Sequence, residues 1–150
     1  MATKAAIDEF IAQPALAIAG ASRDGKKFGN AVYRDLKSKG YHVFAVNPNA
    51  EAIDGDPCYP SLSDLPEKVG GVVIITPPAV SEKLVQEAAQ AGITRVWLQQ
   101  GAESPAAVKF CQQNGISVVT GECILMYQPN PAFFHNIHRF FKELVGGKPK

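Results

Sequence analysis

The residues best suited to chemistry stand in one short stretch, IAGASRDGKKFGNA, residues 18–31. An apolar run ends at Gly20, and a helical pattern opens at Phe28. Between them, Gly20 and Gly25, with Gly29 just beyond, permit tight turning and close approach of a ligand to backbone. Ser22 supplies a hydroxyl, and Arg23, Lys26 and Lys27 supply cations. A helix beginning near Lys27–Asn30 leaves backbone N–H groups unpaired and presents the positive end of its dipole. That combination suits a phosphate or another anion. A solvated loop that merely turns the chain is the plainer reading. Its place in a first strand-to-helix turn favours the phosphate.

The neighbouring residues narrow the kind of phosphate. A nicotinamide fingerprint, G-x-G-x-x-G, needs glycine where Ser22 stands, and its second strand usually ends in an acid that holds the ribose. Here that strand ends in Asn47-Pro48, and no acid occurs until Glu51. NAD is disfavoured. NADP stays open, because nearby cations could hold its 2′-phosphate. The stretch is not a P-loop, since Gly20 to Gly25 is followed by Lys26-Lys27 rather than Lys-Ser or Lys-Thr.

The elements that must position this loop follow from hydrophobic periodicity. Residues 4–13 read as a short helix stopped by Pro14, and 15–20 as a buried strand. Phe28, Val32 and Leu36 mark a helix over 28–39, closed by Gly40. Strands follow at 41–47 and 71–78, with an irregular, proline-bearing segment between them and a helical turn in 61–70. Pro77-Pro78 opens a helix closed by Gly92. A strand at 94–99, a helix from Ser104-Pro105 to Gly115 and a strand at 116–120 complete the alternation. Asn130-Pro131 then caps a last amphipathic helix, about 131–144. Strands alternating with helices imply a Rossmann-like α/β fold: a doubly wound parallel sheet in a three-layer α/β/α arrangement. Ligands in such folds bind beyond the carboxyl ends of the strands. The site candidates are therefore 20–30, 47–49, 76–78, 99–101 and 120–123.

Within those segments, Thr76-Pro77-Pro78 reads either as a plain helix start or as a wall of the cleft. Gln99, Gln100 and Gly101 offer amides beside a glycine. Cys123 lies near the same edge, but no base can be placed beside it, so a packed thiol is expected. His135 and His138 lack a third ligand at metal spacing and read as a solvated helix face. No Ser-His-Asp, HExxH or paired-carboxylate pattern occurs, so the set suits holding a ligand more than transforming it.

Composition sets the remaining bounds. The 150 residues make one ordinary domain, 46% hydrophobic and 19% charged. A net charge of +1 provides no global field to recruit nucleic acid or membrane. Three dispersed cysteines support neither a zinc site nor a disulfide framework, and a reducing cytoplasm is the expected setting. Neither a signal peptide nor a membrane span is expected.

Taken in order, AIAGASRDGKKFGNAV, GYHVFAVNPN, GDPCYPSLSDLP, GGVVIITPPAVSEKLVQEAAQAGI, RVWLQQGAES and GISVVTGECILMY form a set. That set resembles small stand-alone CoA-binding-domain proteins, which are similar to the N-terminal domain of the succinyl-CoA synthetase alpha subunit. The resemblance covers roughly residues 13–128. It implies that Gly20, Ala21, Ser22, Arg23, Phe28, Gly29 and Asn30 lie at the phosphates of CoA. It puts Val46, Asn47 and Pro48 near the adenosine. Thr76, Pro77 and Pro78, with Gln99, Gln100 and Gly101, match two further strand-end loops. Gln100 replaces the synthetase's Glu, and Gly121-Glu122 replaces the Asp-Arg of many stand-alone members. No counterpart of the synthetase's second domain, with its phosphohistidine, is expected.

The expected function is therefore binding of CoA or an acyl-CoA without catalysis, in a regulatory, carrier or sensing role. The alternatives are an NADP-dependent reductase and a nucleotide-binding subunit of a larger acyl-CoA enzyme. The last helix would then serve as a docking face for a partner subunit or a second copy.

Overall fold

Short apolar runs make the central strands, which are buried because helices cover both faces of the sheet. The computed structural model of the chain describes residues 3–23 and 25–127. The helix expected over 131–144, with His135 and His138, lies outside the described residues. Ala15–Ala19 (β1) is buried at every position. His42–Val46 (β2), Gly71–Ile74 (β5), Arg95–Leu98 (β6) and Ser117–Val119 (β7) follow the expected order. With Ala52–Ile53 (β3) and Asp56–Tyr59 (β4), they form one seven-stranded sheet ordered β3-β4-β2-β1-β5-β6-β7. All pairings are parallel except β3 with β4. The Rossmann-like α/β architecture is thus the observed one.

Strand alternation divides the core between two faces. Leu16 and Ile18 point to the side of Lys4–Ile11 (α1) and Phe28–Ser38 (α2). Ala17 and Ala19 point to the side of Pro78–Gln90 (α3) and Pro105–Gln113 (α4). On the first side, Trp97 is fully buried. Its ring meets Phe10 edge-on at 5.3 Å and Tyr127 at 5.6 Å, and its Nε1–H donates to the Glu122 carbonyl at 3.1 Å. A buried indole needs that acceptor. Gly71 presses against the Phe10 ring, where a Cβ would come within 2.5 Å of it.

The segment after β2 is more regular than its prolines suggest. Asp54 and Gly55 both take positive φ, 51° and 83°, and form the two-residue turn of the β3–β4 hairpin. Asp-Gly favours that turn because both central residues must be left-handed. The hairpin is tied to α2: the Tyr33 hydroxyl and the Lys37 ammonium both donate to Asp56 Oδ2, at 2.7 and 2.6 Å. Arg34 pairs with Asp54 at 3.0 Å.

These bonds hold the Asp56 carboxyl below the usual carboxylate range. The hydrogen bond from Lys37 is the main cause, and that from Tyr33 the next. Burial, followed by the bond to Asp56, pushes the Tyr33 hydroxyl up. A carboxyl with a depressed folded-state pKa contributes stability above its unfolded pKa and loses it as pH falls through the folded one. Thermal unfolding between pH 7 and pH 2 should therefore show an acid loss of stability beginning near pH 4. Asp56→Asn should be less stable at neutral pH and should show a smaller acid loss. An identical acid loss in the variant would mean that Asp56 does not couple the hairpin to α2.

Candidate functional site

The strand order reverses at β1. The chain steps outward through β2 and β4, then crosses to β5 on the other side of β1. The connections leaving β1 and β5 diverge there and open a crevice at the carboxyl edge of the sheet. The structure has a cleft of about 620 Å³ at that place. Its walls are Ala19–Ser22 and Lys27 from the first loop, Val46–Asn49 from the end of β2, Pro60, and Ile75–Pro77 from the end of β5. Val80, Lys83, Leu84 and Glu87 of α3 close one side.

The first loop is fixed by side chains that sit behind it. Asn30 is fully buried. Its Oδ1 accepts from the Ser22 backbone N–H at 2.8 Å, and its Nδ2 donates to the Ser22 carbonyl at 2.7 Å. Asn47 Nδ2 donates to the Ala21 carbonyl at 2.9 Å, while Asn47 Oδ1 accepts from Asn49 N–H at 2.8 Å. Two asparagines thus pin successive residues of the loop from the helix and from β2. Gly29, buried in the first turn of α2, lies directly against the Gly20 backbone, and a Cβ there would collide with the Gly20 carbonyl. Gly20 itself has φ 130°, and its Cβ would strike the Ile75 carbonyl. Both glycines are needed for close backbone approach.

The helices that open at this cleft differ from the other two. The Thr3 hydroxyl caps α1 and the Ser104 hydroxyl caps α4. At α2 the N-cap is Lys27, and at α3 it is Pro77; neither makes a side-chain cap bond. The first-turn N–H groups of α2 are therefore not satisfied by a capping side chain, and the positive dipole end faces the cleft edge. Lys27 and Lys83 add cations to the walls. Glu87 is engaged elsewhere, its Oε1 accepting from Leu62 N–H at 2.9 Å.

The predicted residues fall into distinct places. Gly20, Ala21, Ser22, Lys27, Val46, Asn47, Pro48, Thr76 and Pro77 line the cleft. Gly29 and Asn30 lie beneath the loop and shape it. Phe28 is 48% exposed at the start of α2, and Lys26 is exposed in the loop. Pro78 is exposed as the first residue of α3. Arg23 lines a second, adjoining cavity. Gln99, Gln100 and Gly101 stand at the end of β6, away from these walls. Gln99 is buried, and its Oε1 accepts from Ile124 N–H at 3.1 Å. Gln100 Nε2 donates to the Gly121 carbonyl at 3.2 Å, and the Gly101 N–H to Glu103 Oε1 at 3.0 Å.

The α3 wall is the part that sequence reasoning did not assign. Val80, Lys83, Leu84 and Glu87 recur at i, i+3, i+4 and i+7, one stripe of a helix. Val80 fits the apolar spacing of the helix, yet it is 44% exposed at the cleft. The charged members Lys83 and Glu87 on the same stripe were the available signal.

The walls hold apolar side chains, amides, hydroxyls, two lysines and the Glu87 carboxylate. Among the described residues, no group of three or more His, Cys, Asp or Glu side chains could hold a metal ion. Burial pushes the Cys58 thiol up, and the Cys111 thiol up to about 11. Both stay protonated at neutral pH. Asn30→Ala should leave both Ser22 backbone groups without their partner and destabilise the fold by about 1–3 kcal/mol. Chemical denaturation checks this; an unchanged unfolding midpoint would mean that the loop does not depend on Asn30.

A family model described as CoA binding domain matches residues 15–129. Acetate–CoA ligase [ADP-forming] I of Archaeoglobus fulgidus is 29% identical over 121 residues, which is 74% of this chain and 18% of that protein. A solved structure of a conserved hypothetical protein from Pyrococcus furiosus is 40% identical, with a TM-score of 0.71, over 74% of this chain and 96% of that one. The apo structure of acetyl-coenzyme A synthetase 1 from Ca. Korarchaeum cryptofilum is 29% identical, with a TM-score of 0.62, over 70% of this chain and 25% of that one. The chain spans only 12% to 28% of the length of the curated relatives it matches. With a doubly wound sheet, a cleft at its switch point and a family match over most of its length, the chain belongs to the CoA binding domain family.

Proposed function

We propose that this chain binds CoA or an acyl-CoA in the cleft between the first loop and α3, and that it holds the ligand without transforming it. The diphosphate lies over the uncapped N-terminus of α2, with Ser22 donating and Lys27 offsetting charge. The adenosine lies between Asn47-Pro48 and Thr76-Pro77, against Val80 and Leu84. The pantetheine arm then runs toward the exposed end of β6 at Gln100 and Gly101. The observation that carries this reading is the loop pinned by Asn30 and Asn47 beside a helix start that no side chain caps. Backbone donors already fixed in direction bind an anion without the ordering cost of a mobile loop. The cleft walls supply donors and cations, and the one carboxylate lining them, Glu87, is bonded to Leu62 N–H, which supports a carrier, sensing or regulatory role.

Thermal unfolding with CoA, acetyl-CoA, NAD, NADP and ATP tests it. A ligand at 100 times its Kd should add about 2.7 kcal/mol of stability. CoA or acetyl-CoA should produce such a shift; NADP alone producing it would replace this reading with that of a reductase subunit. Val80→Asp places a carboxylate on an exposed wall position. It should leave the ligand-free melting temperature nearly unchanged and weaken CoA binding by about tenfold or more. Unchanged binding would remove the adenosine from this cleft.

A second reading rests on a specific observation: the curated relatives are acetate–CoA ligases several times longer than the matched segment. A chain of this kind could supply the CoA-binding part of a larger acyl-CoA enzyme. Sedimentation of the purified chain, alone and in a lysate of its source, separates the two. A single stable species with full CoA affinity supports independent action, and recovery only in a larger ligase-active complex supports the subunit.

A further inference from the structure

Two charged side chains stand on the otherwise apolar α3 stripe. Lys83 and Glu87 lie one helical turn apart and line the cleft together with Val80 and Leu84. Spacing of i, i+4 lets such a pair meet, but lysine before glutamate is the less favourable order. Lys83 makes no ion pair among the described residues. Glu87 is half-buried, and its Oε1 accepts from Leu62 N–H at 2.9 Å. That bond holds the carboxylate against the short helix Leu62–Asp64 that follows β4. Its Oε2 makes no hydrogen bond among the described residues. This part of the cleft wall therefore offers a fixed acceptor beside a donor.

We propose that Glu87 and Lys83 read the base of the bound nucleotide and select adenine by the edge that carries its 6-amino group and N1. The inference rests on the reading that the adenosine lies against Val80 and Leu84. A base packed there turns one edge along α3, past Leu84. The 6-amino group projects furthest from the ribose, and Glu87 stands furthest along the stripe from the start of α3. An ionised carboxylate only accepts and an ammonium only donates. Glu87 Oε2 accepts from the 6-amino group, and Lys83 donates to N1. Hypoxanthine carries the opposite pattern, with an accepting oxygen at position 6 and an N–H at N1. In the same pose its oxygen faces the carboxylate and its N–H faces the ammonium. Leu62 keeps Glu87 from turning away, so the mismatch is not relieved by rotating the carboxylate. Val80 and Leu84 supply contact area to any base, whereas the two charged residues distinguish among bases.

Calorimetric titration of the full chain, at one fixed salt concentration, tests the assignment with CoA, NADP and the hypoxanthine analogue of each, in which oxygen replaces the 6-amino group. The native chain should bind CoA about 10- to 100-fold more tightly than its analogue, as a paired base-edge contact provides. Glu87→Gln can still accept from Leu62 N–H and puts an N–H where Oε2 stood. It should keep most of the ligand-free stability and abolish or reverse the base preference. Lys83→Met keeps the side-chain length without the donor; it should weaken CoA binding and narrow the preference. If the native chain binds CoA and its analogue equally, the cofactor reading stands and this inference is overturned. If Glu87→Gln weakens both forms equally, Glu87 acts only through Leu62, which overturns the inference as well; no effect on either form does the same. If neither CoA form binds but NADP does, the CoA reading fails. The base assignment then stands only if NADP is preferred over its analogue and Glu87→Gln removes that preference. No binding of any of the four rejects both.

Discussion

The reciprocal bonding of one buried amide holds the site together. Asn30 is fully buried and uses both ends of its carboxamide on Ser22, accepting from its N–H and donating to its carbonyl. A buried amide with an unpaired end would be costly, so this pairing fixes the loop's path as well as its position. The contact of Gly29 with the Gly20 backbone sets how near α2 can come, and Asn47 clamps Ala21 from the other side. The loop is therefore defined by the helix it leads into and by the strand beside it.

From that constraint the rest of the cleft follows. β1 and β5 separate because the chain crosses over at β1, and the loop occupies the gap. The hairpin of β3 and β4 extends the sheet beyond β2 and is anchored to α2 through Asp56, so it steadies the segment carrying Pro48 to Ala52. The α1 and α2 face, built on Trp97 and Phe10, supports the sheet and extends to Ala21 and Ile75 at the cleft wall. The sheet edge and a helix stripe at Val80, Lys83 and Leu84 form the walls.

Much of this was legible in the sequence. Each strand of the central alternation announced itself through an apolar β-branched run, and the helices through 3.6-residue spacing and glycine or proline boundaries. The loop's position was legible because Gly20, Ser22 and Lys27 stand where a first strand-to-helix turn puts them, and they line the cleft. The role of Asn30 was not legible. An asparagine in a first helical turn looks like a ligand contact, and only the fold reveals that its amide turns inward to Ser22. The β3–β4 hairpin was hidden by its prolines, although Asp54-Gly55 carried the turn signal. The α3 wall was missed because Val80 and Leu84 satisfy a core pattern equally well. Gln99 repeats the case: an amide at a strand end suggested a ligand, and the structure has its Oε1 accepting from Ile124 N–H.

The most direct measurement is the crystal structure of the chain with CoA bound. The diphosphate oxygens should lie within about 3 Å of backbone N–H groups in the first turn of α2, with the Asn30–Ser22 bonds unchanged from the ligand-free state. A diphosphate seated elsewhere, or a loop that must break those bonds to receive it, would contradict a preformed phosphate site at Gly20–Asn30.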